Sequence, residues 1–146
     1  MNNRSKILQD VQNYYGKILK NKDDLQTSAC CAADAMPAYL RPYLKNIHEE
    51  VQSRFYGCAS TFPVSLQGKT VVDLGCGSGR DCYLLAQVVG PNGMVIGIDM
   101  TDEQLAVAQK HIDFHTRKFD LEKPNVSFRK GWIEDLTSAD LEDNSV

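Results

Sequence analysis

The amino-acid sequence predicts an α/β protein in which a truncated doubly wound sheet, half of the usual parallel sheet, follows an N-terminal helical segment. Short apolar runs at 69–74, 94–99 and 126–129 alternate with segments of helical periodicity, the pattern of β-α-β units. A glycine-rich turn at 75–79 directly follows the first run. With 146 residues, 42% of them hydrophobic, the chain has the composition of an ordinary globular protein.

The first 62 residues predict a helical cap, and residues 63–146 the sheet-forming part. Apolar positions recur at helical spacing within 5–20: Ile7, Val11, Tyr14, Ile18 and Leu19. A second amphipathic pattern covers 42–56, and Gly57 is expected to end that helix. Residues 26–37 are small and polar, which favours a loop.

Residues 69–132 predict the order β-α-β-α-β. After the glycine turn, helical periodicity covers 80–89 and stops at a Gly-Pro-Asn-Gly segment. The helix predicted to follow the second strand runs to about residue 119. Thr101 and Gln104 have the spacing of a capping box at its start. The segment after Trp132 is acidic and loop-like.

Charge and cysteine content exclude several functional classes. The net charge of −3 gives no general attraction to nucleic acids or anionic membranes, so neither is expected as a partner. No apolar run approaches the roughly 18 residues of a membrane span. Five cysteines, an odd number without repeated spacing, favour free thiols over a disulfide framework. A cytoplasmic, monomeric protein is therefore expected.

The glycine-rich turn is the strongest chemical signal. A dinucleotide fingerprint would need a third glycine at position 80, which is Arg80, and a phosphate-binding loop would need a Gly-Lys-Ser/Thr that is absent. The segment could also be a plain turn, with Asp99 an ordinary strand-end carboxylate. The order of strand, turn, helix, second strand and terminal acid favours a ligand site.

The segment Asp73 to Gly79 resembles the D/E-x-G-x-G-x-G motif of class I S-adenosylmethionine-dependent methyltransferases. That resemblance implies a Rossmann-like class I methyltransferase fold with S-adenosylmethionine as cofactor. The methionine part would lie against Gly75, Cys76 (through its backbone), Gly77 and Gly79, with Asp73 near its amino group. Asp99 would accept hydrogen bonds from both ribose hydroxyls. The adenine would lie against Met100, Trp132 and Ile133, with Glu134 near its exocyclic amine.

Further segments resemble the N-terminal region of arsenite methyltransferases over residues 11–146. They are 14–16, 25–30, 48–51, 54–58, 74–83 and 97–101, among which Tyr-Gly-Cys and Gly-Arg-Asp-Cys-Tyr are the most specific. The resemblance implies that Cys30 and Cys58 are two of four family cysteines that bind trivalent arsenic. It implies arsenite or its glutathione conjugate as substrate, and thioredoxin or glutathione as reductant. Tyr56 would lie near the sulfonium.

Plainer alternatives exist for the thiols and tyrosines. Cys58 follows a predicted helix C-terminus, whose dipole disfavours a thiolate, so it could be structural. Cys31 could substitute for Cys30. Cys82 is expected to pack against the helix rather than to bind a ligand. Tyr14 and Tyr15 could be core residues or cofactor contacts.

His111 and His115 are spaced one helical turn apart, but without a third ligand in view they are interpreted as surface and packing residues. By the resemblance, the third and fourth cysteines and a strand beside the first one would lie beyond residue 146. The chain is therefore expected to be an N-terminal fragment with weak or no catalysis of its own and an open edge on its first strand. Two further alternatives are a methyltransferase with a carbon, nitrogen or oxygen acceptor, and a non-catalytic binder of cofactor or metalloid.

Overall fold

The computed structural model describes residues 3–20, 24, 36–57 and 62–146. The described helices are α1 (Asn3–Asn13), α2 (Arg41–Leu44), α3 (Glu49–Ser53), α4 (Arg80–Val89), α5 (Asp102–Lys110) and α6 (Ile112–Lys118). The described strands are β1 (Thr70–Leu74), β2 (Met94–Asp99) and β3 (Val126–Lys130). A π-helical turn, Tyr14–Ile18, extends α1, and 3₁₀ turns cover Ala38–Leu40 and Leu136–Ala139.

The strands form a parallel sheet in the order β1-β2-β3, which confirms the predicted β-α-β-α-β arrangement. Val71 pairs with Val95, which in turn pairs with Val126, so equivalent positions line one face. Because parallel strands are joined by crossover helices, all three carboxyl ends meet at the same edge. The glycine turn and Asp99 lie at that edge.

The two faces of the sheet are covered differently. On one face β-strand side chains such as Val95 and Phe128 pack in one buried cluster with α4, α5 and the helical cap, which contributes Leu40 and Val51. On the other face Ile96 and Ile98 pack against Ala139 of the last 3₁₀ turn. The helical cap therefore shares its core with the first face.

Two predicted helices are interrupted, so their predicted extents are wrong. The segment 42–56 contains α2, which ends at Leu44, and α3, which begins at Glu49 after His48, an N-cap residue with extended backbone (ψ 140°). The cap is made by the His48 side chain, which accepts a hydrogen bond from Glu50 N. Helix α3 ends at Ser53 rather than at Gly57. The segment 101–119 is divided at His111, where α5 ends and α6 begins.

Candidate active site at the carboxyl edge of the sheet

The glycine turn after β1 has a backbone that favours glycine. Gly75, Gly77 and Gly79 all have left-handed φ angles, of 78°, 54° and 84°. A Cβ on Gly79 would also come within 2.7 Å of the Phe128 ring. The backbone amides of Gly75 and Cys76 both donate to Ile98 O, at 2.7 and 3.0 Å, which fastens the turn to β2.

Asp99, the last residue of β2, holds the turn from the other side. Its Oδ2 accepts a hydrogen bond from Gly77 N at 2.9 Å, and its Oδ1 accepts one from Thr101 N at 2.8 Å. A carboxylate has about four acceptor positions, so two backbone donors leave lone pairs on both oxygens for a ligand. Asp99 therefore links the two loops and can still accept from a pair of hydroxyls.

A cavity of about 330 Å³ opens between these loops and the helical cap. Its lower wall is formed by Gly75–Ser78, Asp99, Met100, Thr101 and Gln104, with Ile133 at one side. The cap contributes Val11, Tyr15 and the segment Arg54, Phe55, Tyr56 and Gly57. The lining brings together Tyr56, Gly75, Cys76, Gly77, Asp99, Met100 and Ile133 of the predicted cofactor residues.

The end of α1 and the π turn dock directly on the loop after β2. Gln12 Nε2 donates to Met100 O at 2.7 Å, and Gln104 Nε2 donates to Tyr15 O at 3.1 Å. At Gly16 an added Cβ would lie 2.8 Å from Thr101 Cγ2, so the approach needs a residue without a side chain. The capping box predicted for Thr101 and Gln104 is wrong, because Thr101 makes no side-chain cap and the Gln104 amide serves this tertiary contact instead.

Two buried polar atoms in the cavity wall have no hydrogen-bond partner among the described residues: Tyr56 Oη and Gln104 Oε1. Burial raises the pKa of the Tyr56 phenol, an effect that Arg54 and the nearby Gln104 oppose. A buried polar atom without a partner is costly, and the two side chains lie next to each other behind the cavity surface. Gln104 was not among the predicted site residues, because its spacing from Thr101 suggested a local cap.

The other predicted cofactor residues lie outside the cavity lining. Asp73 accepts a hydrogen bond from Cys82 Sγ at 3.3 Å, and burial raises the pKa of its carboxyl group. Trp132 lies beside α1, in a groove with Ser5, Leu8, Gln9 and Gln12. Glu134 is exposed. Gly79 caps α4 at the rear of the turn.

The five cysteines divide into two groups. Cys30 and Cys58, the predicted arsenic ligands, and Cys31 lie outside the described residues. Cys76 and Cys82 are buried free thiols. Gly57, the residue before Cys58, is part of the cavity lining. Of the tyrosines left open, Tyr15 lines the cavity and lies 6.4 Å from Tyr56 between ring centroids.

His111 and His115 are both buried and make different contacts, so the surface part of their interpretation is wrong while packing contacts are present. His115 is buried, stacks on Tyr83 at 3.6 Å and accepts a hydrogen bond from His48 N. His111 Nε2 lies 2.8 Å from Glu50 Oε2. The same oxygen forms an ion pair with Lys110 Nζ at 2.7 Å. The side-chain atoms of His48, Glu50 and His111 that could bind a metal lie within 4.8 Å of one another. The Glu50 carboxylate, however, already forms an ion pair with the Lys110 ammonium.

None of the helices in the described residues has the length and apolar character to cross a membrane.

Comparison of the sequence with known proteins identifies a family for this chain. A family model described as "Methyltransferase domain" matches residues 65–146. Arsenite methyltransferases from Aquipseudomonas alcaligenes, Mus musculus and Homo sapiens are 58%, 50% and 46% identical to the chain over 94%, 95% and 97% of its length. The chain spans 39%, 37% and 38% of those relatives.

The structural comparison agrees with the sequence comparison. The crystal structure of an arsenic(III) S-adenosylmethionine methyltransferase from Chlamydomonas reinhardtii has a TM-score of 0.72 and 43% identity. The match covers 75% of this chain and 36% of that protein. The predicted class I methyltransferase fold is thereby confirmed. The chain belongs to the methyltransferase domain family and, over almost its whole length, is homologous to the arsenite methyltransferases.

Proposed function

We propose that this chain binds S-adenosylmethionine in the cavity at the carboxyl edge of the sheet, as part of a methyltransferase acting on trivalent arsenic. One observation carries the proposal: the glycine turn and Asp99, whose carboxylate fastens that turn, line one cavity together with residues of the helical cap. The similarity to arsenite methyltransferases supports the choice of cofactor and substrate.

The residues present fit this cofactor, which carries amino, carboxylate, hydroxyl and adenine groups. Gly75 and Gly77 let the backbone approach the ligand closely, and Asp99 keeps free acceptor positions for two hydroxyls. Met100 and Ile133 offer apolar surface, and the Tyr56 and Gln104 side chains complete the lining. When bound, the cofactor supplies a methyl group activated on a sulfonium. The assignments of Asp73, Gly79, Trp132 and Glu134 remain predictions.

The helical cap has a defined task in this proposal. Val11 and Tyr15 cover the cavity on one side, and the segment from Arg54 to Gly57 covers it on another. The Arg80 guanidinium lies 3.1 Å from the centroid of the Phe55 ring, and Ser78 Oγ donates to Val51 O at 2.9 Å. These contacts hold the cap against the glycine turn, which excludes water and orients the bound ligand.

For the methyl acceptor, we propose that Cys30 and Cys58 bind arsenite or its glutathione conjugate as thiolates. Trivalent arsenic is thiophilic, and each thiol proton leaves on a displaced oxygen or sulfur ligand of the arsenic. Cys58 follows Gly57 of the cavity lining, which supports a position near the methyl donor. Thioredoxin or glutathione would return oxidised cysteines to thiols, as expected in the cytoplasm.

Cofactor binding is tested first. Isothermal titration calorimetry with S-adenosylhomocysteine should show one site per chain. The Gln104→Leu variant should bind roughly ten times more weakly, because it loses the hydrogen bond that holds Tyr15 O against the cavity. Gln109→Leu, a change on the same helix outside the cavity lining, is the matched control. Unchanged affinity in Gln104→Leu would contradict this placement of the cofactor.

The acceptor is tested separately. Incubation with arsenite, S-adenosylmethionine and glutathione should give small amounts of methylated arsenicals, detected by mass spectrometry, because this chain alone is expected to be a weak catalyst. Cys30→Ser and Cys58→Ser should remove the product, whereas Cys31→Ser is the matched control. Methylation of a carbon, nitrogen or oxygen acceptor with no methylated arsenic would contradict the substrate assignment while leaving the cofactor site intact.

A further inference from the structure

Two thiols, those of Cys76 and Cys82, lie close together between the glycine turn and β2. Cys76 belongs to the turn, and Cys82 to the first part of α4. Both sulfur atoms lie above Gly97 of β2: the position that a Gly97 Cβ would take is 2.9 Å from Cys76 Sγ and 2.8 Å from Cys82 Sγ. Because Gly97 has no side chain, the two sulfur atoms share the space in front of it.

The surroundings of this pair distinguish it from an ordinary ligand set for a divalent cation. Cys82 is fully buried and donates to Asp73 Oδ2 at 3.3 Å. Burial, together with the neighbouring Cys76 and Asp73, raises the pKa of the Cys82 thiol. Divalent cations need thiolates, which this environment disfavours. Cys76, in contrast, is among the residues that line the cofactor cavity, so the pair lies directly behind the cavity wall.

We propose that Cys76 and Cys82 form a second site for trivalent arsenicals, one that binds species with two exchangeable oxygen ligands. Two sulfur–arsenic bonds form and two arsenic–oxygen bonds break. The two thiol protons leave on the released oxygens as two water molecules, with no change in oxidation state. The adduct is neutral, as a buried position requires. The site is distinct from the Cys30 and Cys58 ligands and does not depend on methyl transfer.

Occupation of this site has a consequence for the cavity. Cys76 N is fastened to Ile98 O and its neighbour Gly77 N to Asp99 Oδ2, so the turn has little freedom to move away from an added atom. An arsenic on the two sulfur atoms would therefore crowd the wall against which the cofactor is proposed to lie. Arsenical and cofactor are expected to exclude each other.

The test isolates the pair in a Cys30→Ser/Cys31→Ser/Cys58→Ser variant and uses phenylarsine oxide, which takes two thiols and releases one water. Native mass spectrometry should show one phenylarsenic per chain. Adding Cys76→Ser to this background should weaken binding roughly 100-fold or more, because the second thiol no longer binds intramolecularly. An excess of S-adenosylhomocysteine should slow the labelling at least severalfold. No adduct, or equal binding after Cys76→Ser, would overturn the proposal.

A second measurement uses the unsubstituted chain. Trypsin cleaves after Arg80, which separates Cys76 from Cys82 into different peptides. A dithiol adduct should therefore join the 70–80 and 81–110 peptides through one phenylarsenic group. Adducts confined to peptides containing Cys30, Cys31 or Cys58 would overturn the second site while leaving the proposed acceptor ligands unaffected.

Discussion

Asp99 is the residue on which both loops of the candidate site depend. Its two oxygens each accept one backbone hydrogen bond, from Gly77 and from Thr101. In Asp99→Asn the side-chain NH₂ group, which is itself a donor, would face one of these two backbone N–H groups. One of the two hydrogen bonds would therefore be lost and the turn displaced. We expect the affinity for S-adenosylhomocysteine, measured by calorimetry, to fall roughly 10- to 100-fold.

Asp102→Asn is the matched control for that change. Asp102 lies three residues further along, and its 67% exposed side chain pairs with Lys130 at the surface. An exposed ion pair contributes little, so its loss should leave the affinity within about twofold. Equal effects of the two substitutions would show that net charge, rather than the geometry of Asp99, determines binding.

Gly97 gives a second prediction at the residue scale. An alanine Cβ there would approach Phe128, Cys82 and Cys76 to less than 3 Å, so Gly97→Ala should lower the free energy of unfolding by roughly 1–3 kcal/mol. Displacement of Cys76 should also weaken cofactor binding.

Gly68→Ala provides the comparison for Gly97→Ala, because Gly68 has open space around it and only a left-handed φ of 71°. It should cost about 1–2 kcal/mol in urea unfolding while leaving cofactor affinity unchanged. A Gly97→Ala protein that lost stability but bound cofactor normally would argue against coupling between this strand and the turn.

At the scale of elements, the contact between the helical cap and α6 depends on a neutral histidine. His115 Nε2 accepts a hydrogen bond from His48 N, and burial lowers the pKa of His115 to about 4. The unfolded chain takes up this proton near pH 6.5, whereas the folded chain resists it. Stability contributed by His115 is therefore present above pH 6.5 and is lost as the pH falls from 6.5 towards 4, by on the order of 3 kcal/mol.

Urea unfolding at pH 7.5, 5.5 and 4.5 measures this loss. His115→Phe keeps an aromatic ring against Tyr83 but has no titrating group at this position, so its stability should vary less between pH 7.5 and 4.5. Burial also lowers the pKa of His48, which titrates in the same direction and remains in the variant. Glu50, with a pKa of about 2, acts only at lower pH, where its hydrogen bonds to Lys110 and His111 are lost. The same pH dependence in both proteins would contradict the role of His115.

The helices and strands also show which elements local sequence patterns predict and which they do not. The strands and the glycine turn were predictable, because burial on both faces gives continuous apolar runs and left-handed backbone selects glycine. The breaks at His48 and His111 were not, because the amphipathic spacing continues across both and the His48 backbone bonds to His115, which is 67 residues away. Gln104 illustrates the same limit: its spacing suggested a cap, whereas its partner is Tyr15 O, on a distant segment.

For the molecule as a whole, β1 is the strand from which self-association can be predicted. Among the described residues β1 pairs with β2 alone, so one edge of β1 has no strand beside it. Leu74 on this strand is 43% exposed. An unpaired edge with an exposed apolar side chain is a template for pairing with another chain. A chain that is monomeric at low concentration is therefore expected to associate as its concentration rises.

Sedimentation velocity over a range of concentrations measures this association. Leu74→Lys should shift the onset to higher concentration, because charged side chains on an edge strand oppose pairing with a second strand. Met94→Lys is the matched control, since Met94 is 37% exposed but lies on β2, which is paired on both sides. If association depended equally on Leu74 and Met94, general surface hydrophobicity would explain it. If the unsubstituted chain stayed monomeric throughout, the β1 edge would not be a pairing surface.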